Sequence, residues 1–298
     1  MPGKKISRLD TVQVLERNIT MDISHFIQIW QHRSADATAQ SAFWDRRADS
    51  FNQHKKDTSS QVMRAKVVEY ITSRCRSVQD GRMLDIGCAA GHYSLALAGA
   101  FSHVQGFDLS SKMIAHATAN AAEANIANAD FQVLDWYAAD LEALGWERAF
   151  DFVLASRTPA ISDKSGLDKM IRASKKHCLL VSAATVSNSV QEKLMPLVDF
   201  DKKKARASQA FYCAYNILWL MGYCPEVFYM DYGWETQHPL EDSLEMHLGF
   251  FDRAQALQPK QREALASCLA KEAVNGMVYE KVRTKLAFVY WDVTLADR

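Results

Sequence analysis

The chain has 298 residues, and its 35 Lys and Arg are matched by 35 Asp and Glu, giving a formal net charge of zero. With 48% hydrophobic residues, 12 Gly and 6 Pro, the composition excludes a disordered, collagenous or low-complexity chain. The length holds one large domain or two small ones, and the charge balance speaks against a partner bound mainly through phosphates, so a nucleic-acid partner is not expected.

In chain order, residues 1–60 are polar and charged, with apolar residues at helical spacing around Phe26, Ile27, Ile29 and Trp30 and again at Phe43, Trp44 and Phe51. They read as an N-terminal helical extension, or lid, and their opening run carries charges where a signal peptide needs an apolar stretch. Residues 61–298 read as the main domain. Within it, residues 61–186 alternate short apolar runs with helical patterns. Strands are expected at 82–86, 104–107, 130–134, 150–155 and 178–182, and helices at 92–100, 112–124 and 167–176. Strand and helix alternating at this spacing predict an α/β fold with a parallel sheet. Residues 187–226 break the rhythm with a basic and then an aromatic segment, and read as a helical cap insertion. Residues 227–298 offer a strand at 227–232, a helix from 239 to about 255, a second helix from Pro259 and a β-rich run at 286–293. Two strands joined by helices at the end predict a seven-strand sheet with one antiparallel member.

The six cysteines (Cys75, Cys88, Cys178, Cys213, Cys224 and Cys268) include no CxxC pair, which reads as reduced thiols in a cytoplasmic protein rather than disulfides or zinc. His92, His177, His238 and His247 show no ligand spacing, so no metal is expected. The most apolar stretch, 211–223, is too short to span a bilayer and contains Asn216.

The informative run is Met83-Leu-Asp85-Ile-Gly87-Cys88-Ala89-Ala-Gly91-His92-Tyr93. It is an apolar strand entering a small-residue turn from which a helix opens. Gly87 permits a sharp turn and a close backbone approach by a ligand, and Gly91 lets the helix start against the strand. The next strand, Val104-Gln-Gly-Phe-Asp108, ends in a carboxylate. A nucleoside bound across the first turn would present its ribose hydroxyls there, and an ionised carboxylate accepts from both. The alternative for Asp108 is a helix N-cap, a role open also to Ser110 or Ser111.

Asp85-x-Gly87-x-Ala89-x-Gly91 followed by the Asp108 strand resembles the class I S-adenosylmethionine-dependent methyltransferases over about residues 40–186, with Ala89 standing where the middle glycine is usual. The resemblance implies a Rossmann-like fold, S-adenosyl-L-methionine as cofactor, and a cofactor site that includes Asp85, Gly87, Cys88, Ala89, Gly91, Asp108 and Leu109. It places Met113 against the adenine, where the other reading is a core methionine on a helix. It places Asp135 near the adenine amino group, where the other reading is a solvated turn, and Trp136 across the ring. Ser156 and Arg157 fall at the mouth where methionine and acceptor meet. Phe43-Trp44-Asp45-Arg46-Arg47-Ala48 resembles the helix that precedes the fold in many small-molecule members, so Trp44 would pack on the cofactor and Arg47 meet its carboxylate; the other reading is an amphipathic surface helix.

The motif names no catalytic residue, since in-line transfer from a sulfonium needs mainly positioning. Acceptor-site candidates are Arg157 and, on one face of a helix in the aromatic segment, Tyr212, Tyr215 and Asn216, with Trp219 on the same stripe. That stripe would equally serve to bury the helix against the sheet. Lys202-Lys-Lys-Ala-Arg206 reads as a solvated face or as a site for phosphate. The expected activity is methylation of a small molecule; the alternatives are an RNA or protein methyltransferase and a non-catalytic cofactor-binding protein.

Overall fold

A computed structural model describes residues 22–31, 36–53, 58–74, 80–200, 210–254 and 256–296. The Lys202–Arg206 cluster, Cys75 and the first 21 residues lie outside the described residues.

The sheet is built outward from β1 (Arg82–Ile86), which is buried from Met83 to Ile86. An apolar run without alternation suits a central parallel strand, covered on both faces. β2 (His103–Asp108) and β3 (Ala129–Val133) extend the sheet on one side, and β4 (Phe150–Ser156) and β5 (Ser174–Asn188) on the other, all parallel. β6 (Glu226–Pro239) and β7 (Met277–Asp292) complete the order β3-β2-β1-β4-β5-β7-β6, with β7 antiparallel to both of its neighbours. The mainly parallel seven-strand sheet with one antiparallel member is therefore present among the described residues.

Side chains of β1 divide between two cores as strand geometry requires. Leu84 and Ile86 face one layer with Phe107, Phe150 and Trp291, and Met83 faces the other with Val67, Phe152 and Phe288. The first layer is covered by α1 (Ile23–Ile29), α7 (Lys164–Ala173) and α9 (Ala210–Leu220). The second is covered by α4 (Thr58–Arg74) and α5 (His92–Leu97). α6 (Ser111–Glu123), which follows β2, starts where Ser110 accepts a hydrogen bond from Met113 N at 3.1 Å, and it buries Met113, Ile114, Ala117 and Ala121.

Residues 187–226, expected as one cap insertion, divide between two places. The aromatic segment forms α9, which buries Cys213, Ala214, Ile217 and Leu218 on the sheet face as an ordinary crossover helix. The elements that rise above the sheet come from β5, β6 and β7, which run past it, together with α8 (Ser189–Leu194), α10 (Leu240–Ala254) and α11 (Pro259–Glu272). β6 extends seven residues beyond its expected end at 232, and β7 begins nine residues before 286. A third core of Val190, Leu194, Phe251, Leu265, Leu269 and Val278 holds this upper part together.

Within that upper part the Glu280 and His247 side chains are each 2% exposed, with Oε1 and Nε2 2.8 Å apart. Asn188 Nδ2 donates to Glu280 Oε2 at 2.8 Å, and Ser243 Oγ to Oε1 at 3.4 Å. The five described cysteines are free thiols. Among the described residues no helix is long and apolar enough to cross a membrane.

Candidate functional site

The carboxyl ends of β1, β2 and β4 open into a cavity of about 830 Å³. The chain leaves β1 through Gly87, whose φ is +66°, and a Cβ built there would lie 2.1 Å from Thr158 Oγ1. Only glycine lets this turn pass the loop after β4. Ala89, two residues on, has φ +48°, so the usual glycine has been replaced at a left-handed position that costs an L-residue roughly 1–2 kcal/mol.

That turn is tied to the second acid. Ala89 N donates to Asp108 Oδ2 at 3.0 Å, and Ser110 N donates to Oδ1 at 2.9 Å. Each carboxylate oxygen keeps a lone pair for a further donor, which is what two ribose hydroxyls require. Burial raises the pKa of Asp108 against the opposing pull of these backbone donors. Asp85 is 2% exposed and accepts from Ser94 Oγ at 2.5 Å. Burial pushes its carboxyl up to about 6, and the charge of Asp108 adds to the rise. With the folded value above the ordinary 3.8, its contribution to stability is full below that pH and falls away as pH climbs toward 6. A cationic ligand group beside Asp85 would favour the ionised form.

On the far side of Asp108 the cavity is bordered by Leu109, Met113, Leu134, Asp135 and Trp136. Trp136 stacks on Phe107 at 5.3 Å, and its indole N–H donates to Gly166 O at 3.1 Å. Lys169 Nζ donates to the carbonyls of Trp136, Tyr137 and Ala139, each at 2.7 Å, and so fixes this turn. Asp135 Oδ1 accepts from Tyr137 N at 2.9 Å, leaving its other oxygen available.

The N-terminal segment closes this end. α2 (Ala37–Asp45) and α3 (Ala48–Gln53) are fastened to α6 and its N-cap by polar contacts. Ser110 Oγ donates to Asp45 Oδ1 at 2.5 Å, Asp49 meets His116 Nε2 at 2.8 Å, and Asn120 Nδ2 donates to Asn52 Oδ1 at 2.8 Å. The Ser110 hydroxyl holds the Asp45 carboxyl below its ordinary range. Trp44 then borders the cavity, packed edge-on against Phe43 and Phe51 at 5.1 and 5.7 Å. Arg47 also borders it, with its guanidinium 3.6 Å from the Phe43 ring centroid and Nη1 donating to Phe43 O at 3.1 Å.

At the opposite end stand Ser156, the last residue of β4, and Arg157, which follows it. Arg157 has φ +52°, is anchored by its N–H to Val181 O at 2.8 Å, and carries its guanidinium 5.5 Å from the Tyr232 ring centroid. Every cofactor residue expected from the sequence except Gly91 borders this one cavity. Gly91 lies behind the turn, where a Cβ would press within 3.0 Å of Ala117 and Phe131.

Three acceptor candidates lie elsewhere. Tyr212 packs on Phe26 at 5.7 Å, Tyr215 stacks on Trp219 at 6.3 Å, and Asn216 Nδ2 donates to Tyr212 O at 2.6 Å. None borders the cavity, because α9 turns its apolar stripe to the sheet. Trp219, on the outer side, is 54% exposed. The wall is supplied instead by Met63 and Arg64 of α4, Tyr93 of α5, Tyr232, Trp234 and His238 of β6, and Met246 of α10. Of these, only the period-2 spacing of Tyr232, Trp234, Thr236 and His238 was readable in the sequence. Among the described residues no three His, Cys, Asp or Glu side chains cluster as a metal site.

Residues 77–243 match the methyltransferase domain family, which is more than half of the chain, and the chain belongs to that family. It is a class I S-adenosylmethionine-dependent methyltransferase, as the motif implied. No curated protein matches the chain. Among solved structures, the YcgJ protein from Bacillus subtilis is 17% identical, with 76% of this chain and 97% of that one covered and a TM-score of 0.45. Phosphoethanolamine N-methyltransferase 2 from Haemonchus contortus is 16% identical over 76% of this chain and 52% of that one, with a TM-score of 0.44. Magnesium protoporphyrin IX methyltransferase from Synechocystis is 14% identical over 94% and 99%, with a TM-score of 0.42. Likenesses this distant say nothing about the acceptor.

Proposed function

We propose that the chain methylates a small molecule in the cavity described above, with residues 22–53 serving as lid and the extended β5–β7 region with α8, α10 and α11 as cap. The observation that carries this reading is the single cavity of about 830 Å³ running from Asp108 and Asp135 to Trp234 and Met246, walled at both ends by the chain's own side chains. A cofactor lying against Asp108 leaves the Arg157 and Tyr232 end for an acceptor of modest size.

The residues fit S-adenosylmethionine. Asp108 offers two carboxylate lone pairs to a ribose, Asp85 suits an ammonium group, Arg47 matches a carboxylate, and the Trp136 and Met113 side chains make an apolar border for an aromatic base. The bound cofactor supplies an activated methyl group on a sulfonium. The protein's part is to position the acceptor's lone pair in line with the S–CH3 bond and to keep water out, both of which lower the barrier without a covalent intermediate.

The test is a transfer assay with methyl-labelled S-adenosylmethionine and a cell extract divided by filtration into small molecules and macromolecules. Label is expected in the small-molecule fraction. Label found only in acid-precipitable RNA or protein would contradict the reading.

A further inference from the structure

Six carboxylates border the cavity, Asp85, Asp108, Asp135, Glu235, Asp242 and Glu245, and they do not pair with every cation there. Four arginines border it: Arg46, Arg47, Arg64 and Arg157. Arg46 is paired with Glu245 at 3.2 Å. Arg47 stands at the lid, where the cofactor's one carboxylate is expected. Arg64 and Arg157 remain, and neither guanidinium has a hydrogen-bond or ion-pair partner among the described residues. The acids that border the cavity pair elsewhere: Glu235 with Lys281 and Glu245 with Arg46, Asp85 accepts from Ser94, Asp108 from backbone N–H groups and Asp135 from Tyr137 N, and Asp242 acts on Arg47.

Both arginines are held where an acceptor would sit. Arg157 is kept in a left-handed backbone conformation, φ +52°, by its place between β4 and the Val181 carbonyl. Backbone strain of this kind persists where the surroundings fix it, and it fixes the direction of the side chain in turn. Its guanidinium lies 5.5 Å from the Tyr232 ring centroid, and the Tyr232 ring in turn packs on Trp234 at 5.3 Å. Arg64 rises from α4, one turn beyond Ser60, whose hydroxyl is 3.5 Å from Tyr232 Oη. Burial lowers the Arg64 pKa, and Tyr93 and Tyr232 are the charges it senses, which places it on the same wall.

We infer that the acceptor carries an anionic oxyacid group, a carboxylate or a phosphate, on a planar body. Arg64 and Arg157 bind the anion, and Tyr93, Tyr232 and Trp234 pack on the planar part. A guanidinium presents paired donors that fit either oxyacid; Arg64 is half-buried and costly to leave unpaired until such an anion arrives, and Arg157 is exposed and open to it. The inference rests on the small-molecule methyltransferase reading and narrows its substrate class.

The experiment is a calorimetric titration of the full chain saturated with S-adenosylhomocysteine, using 4-hydroxybenzoate and phenyl phosphate as probes against the neutral 4-hydroxybenzamide and phenol. At least one anion is expected to bind ten-fold or more tightly than its neutral counterpart, and which one does so separates carboxylate from phosphate. R64Q and R157Q are each expected to remove at least that ten-fold preference while binding S-adenosylhomocysteine as the wild type does, and R64K and R157K to restore part of it. Equal binding of anions and neutral probes, or binding of neither anion, would overturn the inference. A loss of S-adenosylhomocysteine affinity in R64Q or R157Q would assign that arginine to the cofactor and overturn its role here. A wild-type chain that binds no S-adenosylhomocysteine would overturn the parent reading instead.

Discussion

Asp108→Ala is expected to weaken S-adenosylhomocysteine binding by between ten-fold and several hundred-fold. Hydrogen bonds to a charged group are worth on the order of 1.5–3 kcal/mol each, and every 1.4 kcal/mol is a factor of ten. The two oxygens are already aimed by the N–H groups of Ala89 and Ser110, at 3.0 and 2.9 Å, so a ligand's hydroxyls meet a carboxylate that needs no reordering. Because the alanine variant also strands those two donors, Asp108→Asn separates binding from folding. It keeps one acceptor oxygen, and its loss of affinity should be smaller than that of the alanine variant. Calorimetric titration of both variants provides the check. Wild-type affinity in Asp108→Ala would mean that the ribose is held elsewhere.

His247→Ala is expected to destabilise the fold by about 3–5 kcal/mol, the usual cost of leaving a buried charge without its partner. Glu280 would keep Asn188 and the longer contact to Ser243 but lose the imidazole 2.8 Å from its Oε1. Burial alone would raise the pKa of Glu280; the hydrogen bonds from His247 and Asn188 outweigh it and bring the carboxyl below its ordinary value. A depressed acid contributes stability that is present above its unfolded pKa and is lost as pH falls through the folded one. The wild type should therefore lose cap stability in acid, and a variant with both partners replaced by apolar residues should lose less. Denaturant midpoints measured between pH 7 and pH 4 would show this. A His247→Ala midpoint equal to that of the wild type would refute it. The effect should reach the cavity, since Met246, next in sequence to His247, is part of its wall.

The sequence carried the lower half of the molecule and not the upper. β1, β2, β4 and their glycine turn are legible because strands buried on both faces must be apolar, and because a backbone passing within reach of Thr158 must be glycine. Asp108 was legible for the same reason: a carboxylate at a strand tip stands out against an apolar run. The upper ends of β6 and β7 are disguised. β7 alternates with Val278, Glu280, Val282, Thr284 and Leu286 facing inward, so a buried glutamate and threonine interrupt what would have read as a hydrophobic face. β6 is bordered by the cavity on one side and solvent on the other, so it alternates without a strong apolar signal.

The acceptor wall was missed for a related reason. An aromatic stripe on a helix has two readings, and in α9 it is Cys213, Ala214, Ile217 and Leu218 that pack on the sheet, while Tyr212 packs on Phe26, Tyr215 on Trp219 and Asn216 bonds within its own helix. The residues that do border the cavity there, such as Arg64, Tyr93 and Tyr232, come from three separate elements with no shared spacing. Only the folded sheet brings them together. Arg157 borders the cavity as well, and its place directly after β4 is a signal the sequence does carry.

The central claim is that the turn at Gly87 and the carboxylate of Asp108 form a working site for S-adenosylmethionine. Isothermal titration of the full chain with S-adenosylmethionine tests it most directly. The account predicts saturable one-to-one binding that S-adenosylhomocysteine competes away; no binding at millimolar ligand would contradict it.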